Sequence, residues 1–170
     1  MLLAPYGISP RFPGGTIGYV AAHAPGATQA ALRRSDRLLR ARLRALLHHR
    51  GAVTDELAGQ VRALLTRPRA QAAGPASQRH AAVWTRPRTY LTGQLGAIGC
   101  PVLLLSGDHD RLVPPGDVRA AAARIPRARF TLIADAGHWL PRDAPGQVAG
   151  QLITFLAAAP AASAANPDGP

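Results

Sequence analysis

Two residues of this 170-residue chain stand where acid–base chemistry is commonly done, Asp110 and His138. Each follows a short apolar run that reads as a strand: Pro-Val-Leu-Leu-Leu-Ser (101–106) precedes Asp110, and Phe-Thr-Leu-Ile (130–133) precedes His138. In open α/β sheets, reactive groups gather beyond the carboxyl ends of the strands. Neighbouring parallel strands bring such loops side by side, and one βα unit fits between these two positions. An imidazole that takes up a proton needs a carboxylate to hold its tautomer and to stabilise the imidazolium that forms. The pair is therefore expected within hydrogen-bonding reach, at about 2.6–3.2 Å.

The other chemically capable residues read as structural. Asp108 is the rival acid, but after Gly107 it reads as a turn-former. His109 reads as solvent-exposed. Trp139 is expected to line a substrate pocket or simply to pack. Cys100 is the lone cysteine, so it has no partner for a disulfide or a CxxC metal knuckle, and it reads as a small buried filler at a strand entrance. His48 and His49 are adjacent. On a helix they point about 100° apart, and no carboxylate or third histidine stands at ligand spacing. No metal ligand and no cofactor-binding residue is assigned.

The elements that must carry Asp110 and His138 fall in the second half of the chain. The run ending at Ser106 suits a parallel strand buried on both faces. A helix is expected over 115–125, with Pro115 near its start, then the strand over 130–133, then a helix over 145–156 with Val148, Leu152, Phe155 and Leu156 on one side. This alternation is the repeating unit of an α/β sheet. Leu2-Leu3-Ala4 reads as the tail of another strand. Residues 8–26, rich in Pro and Gly, read as an irregular connection.

The middle reads as helical. Leu32, Leu39, Leu43 and Leu46 give a helix stripe over 28–50, stopped at Gly51, and Arg33, Arg34, Arg37, Arg40 and Arg44 read as its solvated face. A second helix starts at Thr54 as N-cap, with Asp55 and Glu56 in the first turn, and ends before Pro68. A loop is expected over 67–78, with weaker helices over 78–84 and 89–98.

The segment 101–115, Pro-Val-Leu-Leu-Leu-Ser-Gly-Asp-His-Asp-Arg-Leu-Val-Pro-Pro, resembles the α/β-hydrolase segment whose Gly-x-x-Asp-x-x-x-Pro carries the acid of a catalytic triad. Ile-Ala-Asp-Ala-Gly-His-Trp-Leu (133–140) resembles the segment that carries the triad histidine, and Met1–Gly7 is similar to the strand-to-lid junction, often Leu-Leu-x-Pro-x-Gly. The resemblance implies an α/β fold, a partial α/β-hydrolase sheet of the last three parallel strands with flanking helices and an inserted helical cap. The hydrolase core would comprise 1–10 and 97–157, the cap 11–96, and a disordered tail 158–170. It also implies Asp110 and His138 as catalytic acid and base, no cofactor, and hydrolysis of a small organic substrate of ester, lactone or C–C type.

In that family the chain order is nucleophile, acid, histidine. No Gly-x-Ser-x-Gly occurs in these residues; Ser9, Ser35 and Ser77 have Ile8 and Pro10, Arg34 and Asp36, and Ala76 and Gln78 as neighbours, so none reads as a nucleophile elbow. The chain starts where the family's sixth strand would stand, so the half bearing the nucleophile is expected to be missing. The 170 residues alone are expected to have no hydrolase activity. Leu103, Leu105, Leu132 and Ile133 are expected to lose their cover, and the open sheet edge is expected to drive self-association or a molten state.

The formal charge of +11 comes with arginine as the sole basic residue type apart from histidine, the imprint of a GC-rich coding sequence rather than a functional signal. The arginine stripe has no interleaved aromatics and no nucleic-acid-binding motif. A basic nucleic-acid-associated protein is thus the weakest reading, behind a non-catalytic remnant or binding module. No run approaches the ~20 apolar residues of a membrane span and no secretory leader is legible, so a cytoplasmic location is expected.

Overall fold

In the structure, a computed structural model, residues 1–5, 7–8, 25–70, 82–83, 86–87 and 91–158 are described. In chain order the elements are β1 (Leu2–Leu3), α1 (Pro25–Arg34), α2 (Asp36–Leu46), α3 (Asp55–Thr66), the short strands β2 (Ala82–Val83) and β3 (Arg86–Pro87), β4 (Val102–Gly107), α4 (Pro115–Ala122), β5 (Ala128–Ile133), α5 (Leu140–Asp143) and α6 (Pro145–Ala158). Most of the connection expected over 8–26 lies outside the described residues, as does the tail beyond Ala158, which α6 includes.

The apolar run after Pro101 becomes β4, the middle of a parallel sheet ordered β1-β4-β5. Leu2 is opposite Leu104, and Val102 to Gly107 run in register with Ala128 to Ile133. Every residue of β4 is buried. Alternate side chains leave a strand on opposite faces. Val102 and Leu104 thus meet Val113, Val118, Ala121 and Ile125 around α4. Leu103 and Leu105 meet Ile133, Ala136, Leu140, Ala144 and Val148 from β5, α5 and α6.

This corrects the expected loss of cover. Leu103 and Leu105 are fully buried and Ile133 nearly so, because α5 and α6 cover that face of the sheet; Leu132 alone of the four is exposed, at 42%. At roughly 1.5–3 kcal/mol for each large side chain kept from water, these three stabilise the sheet rather than destabilise it.

Three helical expectations also change. The helix expected over 28–50 is two helices, divided at Ser35, whose extended backbone and side chain cap α2 by accepting from the Leu38 amide. α2 stops at Leu46 without help from Gly51, which lies in a 3-10 turn over Arg50–Ala52. Residues 68–70 are helical rather than loop. Arg67 is extended, and Pro68 begins the new turn at a position where its missing N–H costs nothing.

Instead of a helix over 78–84, Ala82–Val83 pairs antiparallel with Arg86–Pro87, since a proline drives the residue before it into extended conformations. Within 89–98 the described residues form turns and a 3-10 segment at Leu95–Ala97, interrupted by Gly93 and Gly96. Thr54 caps α3 as its sequence suggests, accepting from the Leu57 amide at 3.1 Å.

α2 and α3 share a separate apolar cluster of Leu39, Leu43, Leu47, Val53, Leu57 and Ala58, with Trp139 packed against it. The arginine face is only partly solvated. Arg40 bridges Asp36 and Asp55, and Arg62 reaches Asp36, tying α2 to α3. Cys100 is exposed rather than buried. It precedes β4, whose buried span begins at Val102.

Candidate active site

The turn after β4 is built around Gly107. A Cβ there would lie 2.2 Å from the Ala136 carbonyl oxygen and 2.4 Å from that of Gly137. Only glycine lets the two loops beyond β4 and β5 approach so closely. The Asp110 amide turns back onto the Gly107 carbonyl at 3.2 Å, and the His109 amide crosses to the Ala136 carbonyl at 3.0 Å. Asp108 is more than a turn-former. Its two carboxylate oxygens accept from the amides of Asp135 and Ala136, at 3.2 and 3.1 Å. Partial burial pushes its carboxyl up, but the amides of Ala136 and Asp135, together with the His109 ring, outweigh that and hold it below the usual carboxylate range.

Asp110 divides its carboxylate between two tasks. One oxygen accepts from the amides of Leu112 and Val113, at 2.8 and 2.9 Å. The other lies 3.0 Å from Nδ1 of His138. The Asp110 side chain is wholly buried while that of His138 keeps 27% exposure. A buried carboxylate with one oxygen fixed by its own loop has little freedom to leave the imidazole, and Nε2 is the ring nitrogen left for a reacting group. The two residues that the sequence singles out thus meet at the expected distance.

His138 and Trp139 line a cavity of about 640 Å³ whose other walls include Leu3 of β1, Leu43 and Leu46 of α2, and Val61 and Leu65 of α3. Trp139 lines this cavity and packs on the α2–α3 cluster.

Sequence reasoning missed Asp143. Its Oδ2 accepts from the amides of Gly137 at 2.8 Å and His48 at 2.9 Å, and its Oδ1 from His49 at 3.4 Å. The Trp139 amide donates to the Leu46 carbonyl at 3.0 Å. These bonds replace the helical ones that α2 gives up and fasten its end to the histidine loop. Gly137 sits in this junction with no room for a side chain, since a Cβ would come within 2.9 Å of the His48 nitrogen and the Leu46 oxygen. His109 is exposed, yet its ring stacks on that of His48, centroids 3.8 Å apart and planes within 7°. The third histidine absent from the local sequence around His48-His49 is supplied by the fold.

The profile of the alpha/beta hydrolase fold family matches residues 15–145. The chain belongs to that family. It is 41% identical over 73 residues to a pimeloyl-[acyl-carrier protein] methyl ester esterase of Xanthomonas campestris pv. campestris, a match covering 43% of this chain and 29% of the esterase. Among solved structures it resembles a thermophilic esterase from Thermogutta terrifontis, with TM-score 0.59 and 26% identity over 81% of this chain and 50% of that one. It also resembles the 2-hydroxy-6-oxo-6-phenylhexa-2,4-dienoate hydrolase of a Rhodococcus strain, with TM-score 0.63 and 17% identity over 92% of this chain and 54% of that one. The chain thus spans under a third of the curated esterase and about half of each α/β hydrolase whose structure it shares. Among the described residues no helix is long and apolar enough to cross a membrane.

Proposed function

We propose that Asp110 and His138 are the acid and base of a nucleophile–His–Asp triad that hydrolyses small carboxylic esters, with the nucleophile supplied from outside these 170 residues. The observation that carries this reading is the 3.0 Å contact between Nδ1 of His138 and the buried Asp110 carboxylate, at the wall of an apolar cavity. With Nδ1–H donating to Asp110, the Nε2 lone pair takes the proton of the attacking hydroxyl. The imidazolium so formed is stabilised by the carboxylate and returns the proton to the leaving alcohol. A water activated the same way then releases the acyl group. Ester hydrolysis is favoured among the family's reactions by the esterases of Xanthomonas and Thermogutta that the chain is similar to. The helical residues between β1 and β4 act as the cap. Leucines of α2 and the apolar side of α3 face the cavity beside His138, a wall suited to an apolar acyl chain.

The test joins the chain to a nucleophile-bearing segment, as the native polypeptide or in trans, and follows hydrolysis of p-nitrophenyl butyrate. Asp110→Asn and His138→Ala are expected to lower kcat/KM by at least about 10³-fold, as triad lesions do. Hydrolysis that persists unchanged in both variants overturns the assignment.

A further inference from the structure

We propose that His48, His109 and Asp135 bind a divalent transition-metal ion of the zinc class, clamping the link between α2 and α3 to the loops that carry Asp110 and His138. The three residues are remote in sequence, yet one ligand atom from each lies within 4.8 Å of the others. Zinc bonds to nitrogen and oxygen run at about 2.0–2.2 Å, so tetrahedral ligand atoms sit roughly 3.3–3.5 Å apart. The cluster must contract by up to about 1.5 Å to reach that spacing, and side-chain rotation can supply it because the backbones are already pinned together. The His109 amide is held by the Ala136 carbonyl, the Asp135 amide by Asp108, and the His48 amide by Asp143.

One ring must leave the stack. Lone pairs of parallel imidazoles run side by side and do not converge, and His109, with 49% of its side chain exposed, has the room to turn. Asp135 is the carboxylate with nothing else to do. Among the described residues its side chain accepts no hydrogen bond, whereas its neighbour Asp108 is committed to two amides. Asp135 also holds a left-handed backbone, φ 53°, which a non-glycine residue adopts at some cost and which often marks a function. The Asp108 carboxylate, 3.9 Å from Nε2 of His109, adds negative charge beside a cation without joining the set. Two imidazoles and one carboxylate favour zinc, nickel, cobalt or copper over magnesium or calcium, which prefer all-oxygen sites. The fourth position is left to water. The site shares no residue with the Asp110–His138 pair, and binding stands or falls independently of hydrolysis.

The experiment titrates Zn²⁺ into the full chain by calorimetry, with Cu²⁺ electron paramagnetic resonance as a second readout. One saturable site is expected. His109→Ala and Asp135→Asn should each weaken it more than about tenfold, the least that loss of even an outer-shell partner tends to cost, while His49→Ala should leave it unchanged. Asparagine tolerates the left-handed backbone, so the Asp135 variant keeps the fold. Should a variant nonetheless lose its circular dichroism, the Cu²⁺ spectrum of the parent chain decides, with superhyperfine structure from two nitrogens expected. Absence of saturable Zn²⁺ binding, wild-type affinity in both variants, or a Cu²⁺ spectrum without nitrogen coupling overturns the proposal.

Discussion

Asp143 offers the sharpest test of how the helical segment is fastened to the histidine loop. Replacing it with alanine removes the acceptor for two amides at 2.8 and 2.9 Å and a weaker third at 3.4 Å. Hydrogen bonds to a charged group contribute about 1.5–3 kcal/mol each. The third is near the limit of useful geometry and adds little. Asp143 is only half-buried, so water recovers part of the loss. The net destabilisation expected for Asp143→Ala is therefore about 2–4 kcal/mol. For a chain of this size that corresponds to a fall in Tm of roughly 5–15 °C. Asp143→Asn keeps an oxygen in place of Oδ2, retains both short bonds in neutral form, and should lose distinctly less. Thermal melts by circular dichroism read the global effect, and hydrogen exchange at Gly137 and His48 reads the local one. A melting point for Asp143→Ala within about 2 °C of the parent, with both amides still protected, would refute the reasoning.

Other outcomes follow from the same loops. Gly107→Ala places a Cβ 2.2 Å from a backbone oxygen and should cost about 3 kcal/mol or more, read as lost soluble yield or a collapsed melting transition. Because folding lowers the Asp108 carboxyl, the stability it contributes is fully present above the ordinary carboxylate value of 3.8 and is lost as pH falls through its lower folded value. Denaturation of Asp108→Asn beside the parent should show a stability gap that closes below about pH 4, and a gap constant with pH would contradict this. When these 170 residues are produced by themselves, the outer edge of β1, where Met1 and Leu2 are exposed, should pair with a second copy. Sedimentation should then show a dimer or larger species that Leu2→Lys reduces, and a monomer at all concentrations would count against it.

The sheet half of the molecule was legible because its signals are local. The unbroken apolar run of β4 and Pro115 at a helix start act within a few residues of themselves, and they put Asp110 and His138 on adjoining loops. The helical half was legible only in its leucine stripe. α2 ends where the Leu46 carbonyl and the His48 and His49 amides find partners from residues 139 to 143, and no window of sequence contains that exchange. Asp143 was missed for the same reason, as it stands 95 positions from His48. The cover over Leu103 and Leu105 is not legible locally because it comes from α5 and α6, which fold back onto that face of the sheet. Cys100 faces water where its sequence context suggests burial, because a position before a strand says little about which side is exposed.

The pairing of Asp110 with His138 can be read directly in this chain by nitrogen-15 NMR of the histidine ring. With Oδ1 of Asp110 held by two backbone amides, Oδ2 must accept from His138, so the neutral ring should carry its proton on Nδ1 and leave Nε2 bare. In Asp110→Asn the amide group replaces Oδ2 and donates, which should move the proton to Nε2, the tautomer that cannot act as base. A parent spectrum dominated by the Nε2–H form, or one unchanged by Asp110→Asn, would contradict the account.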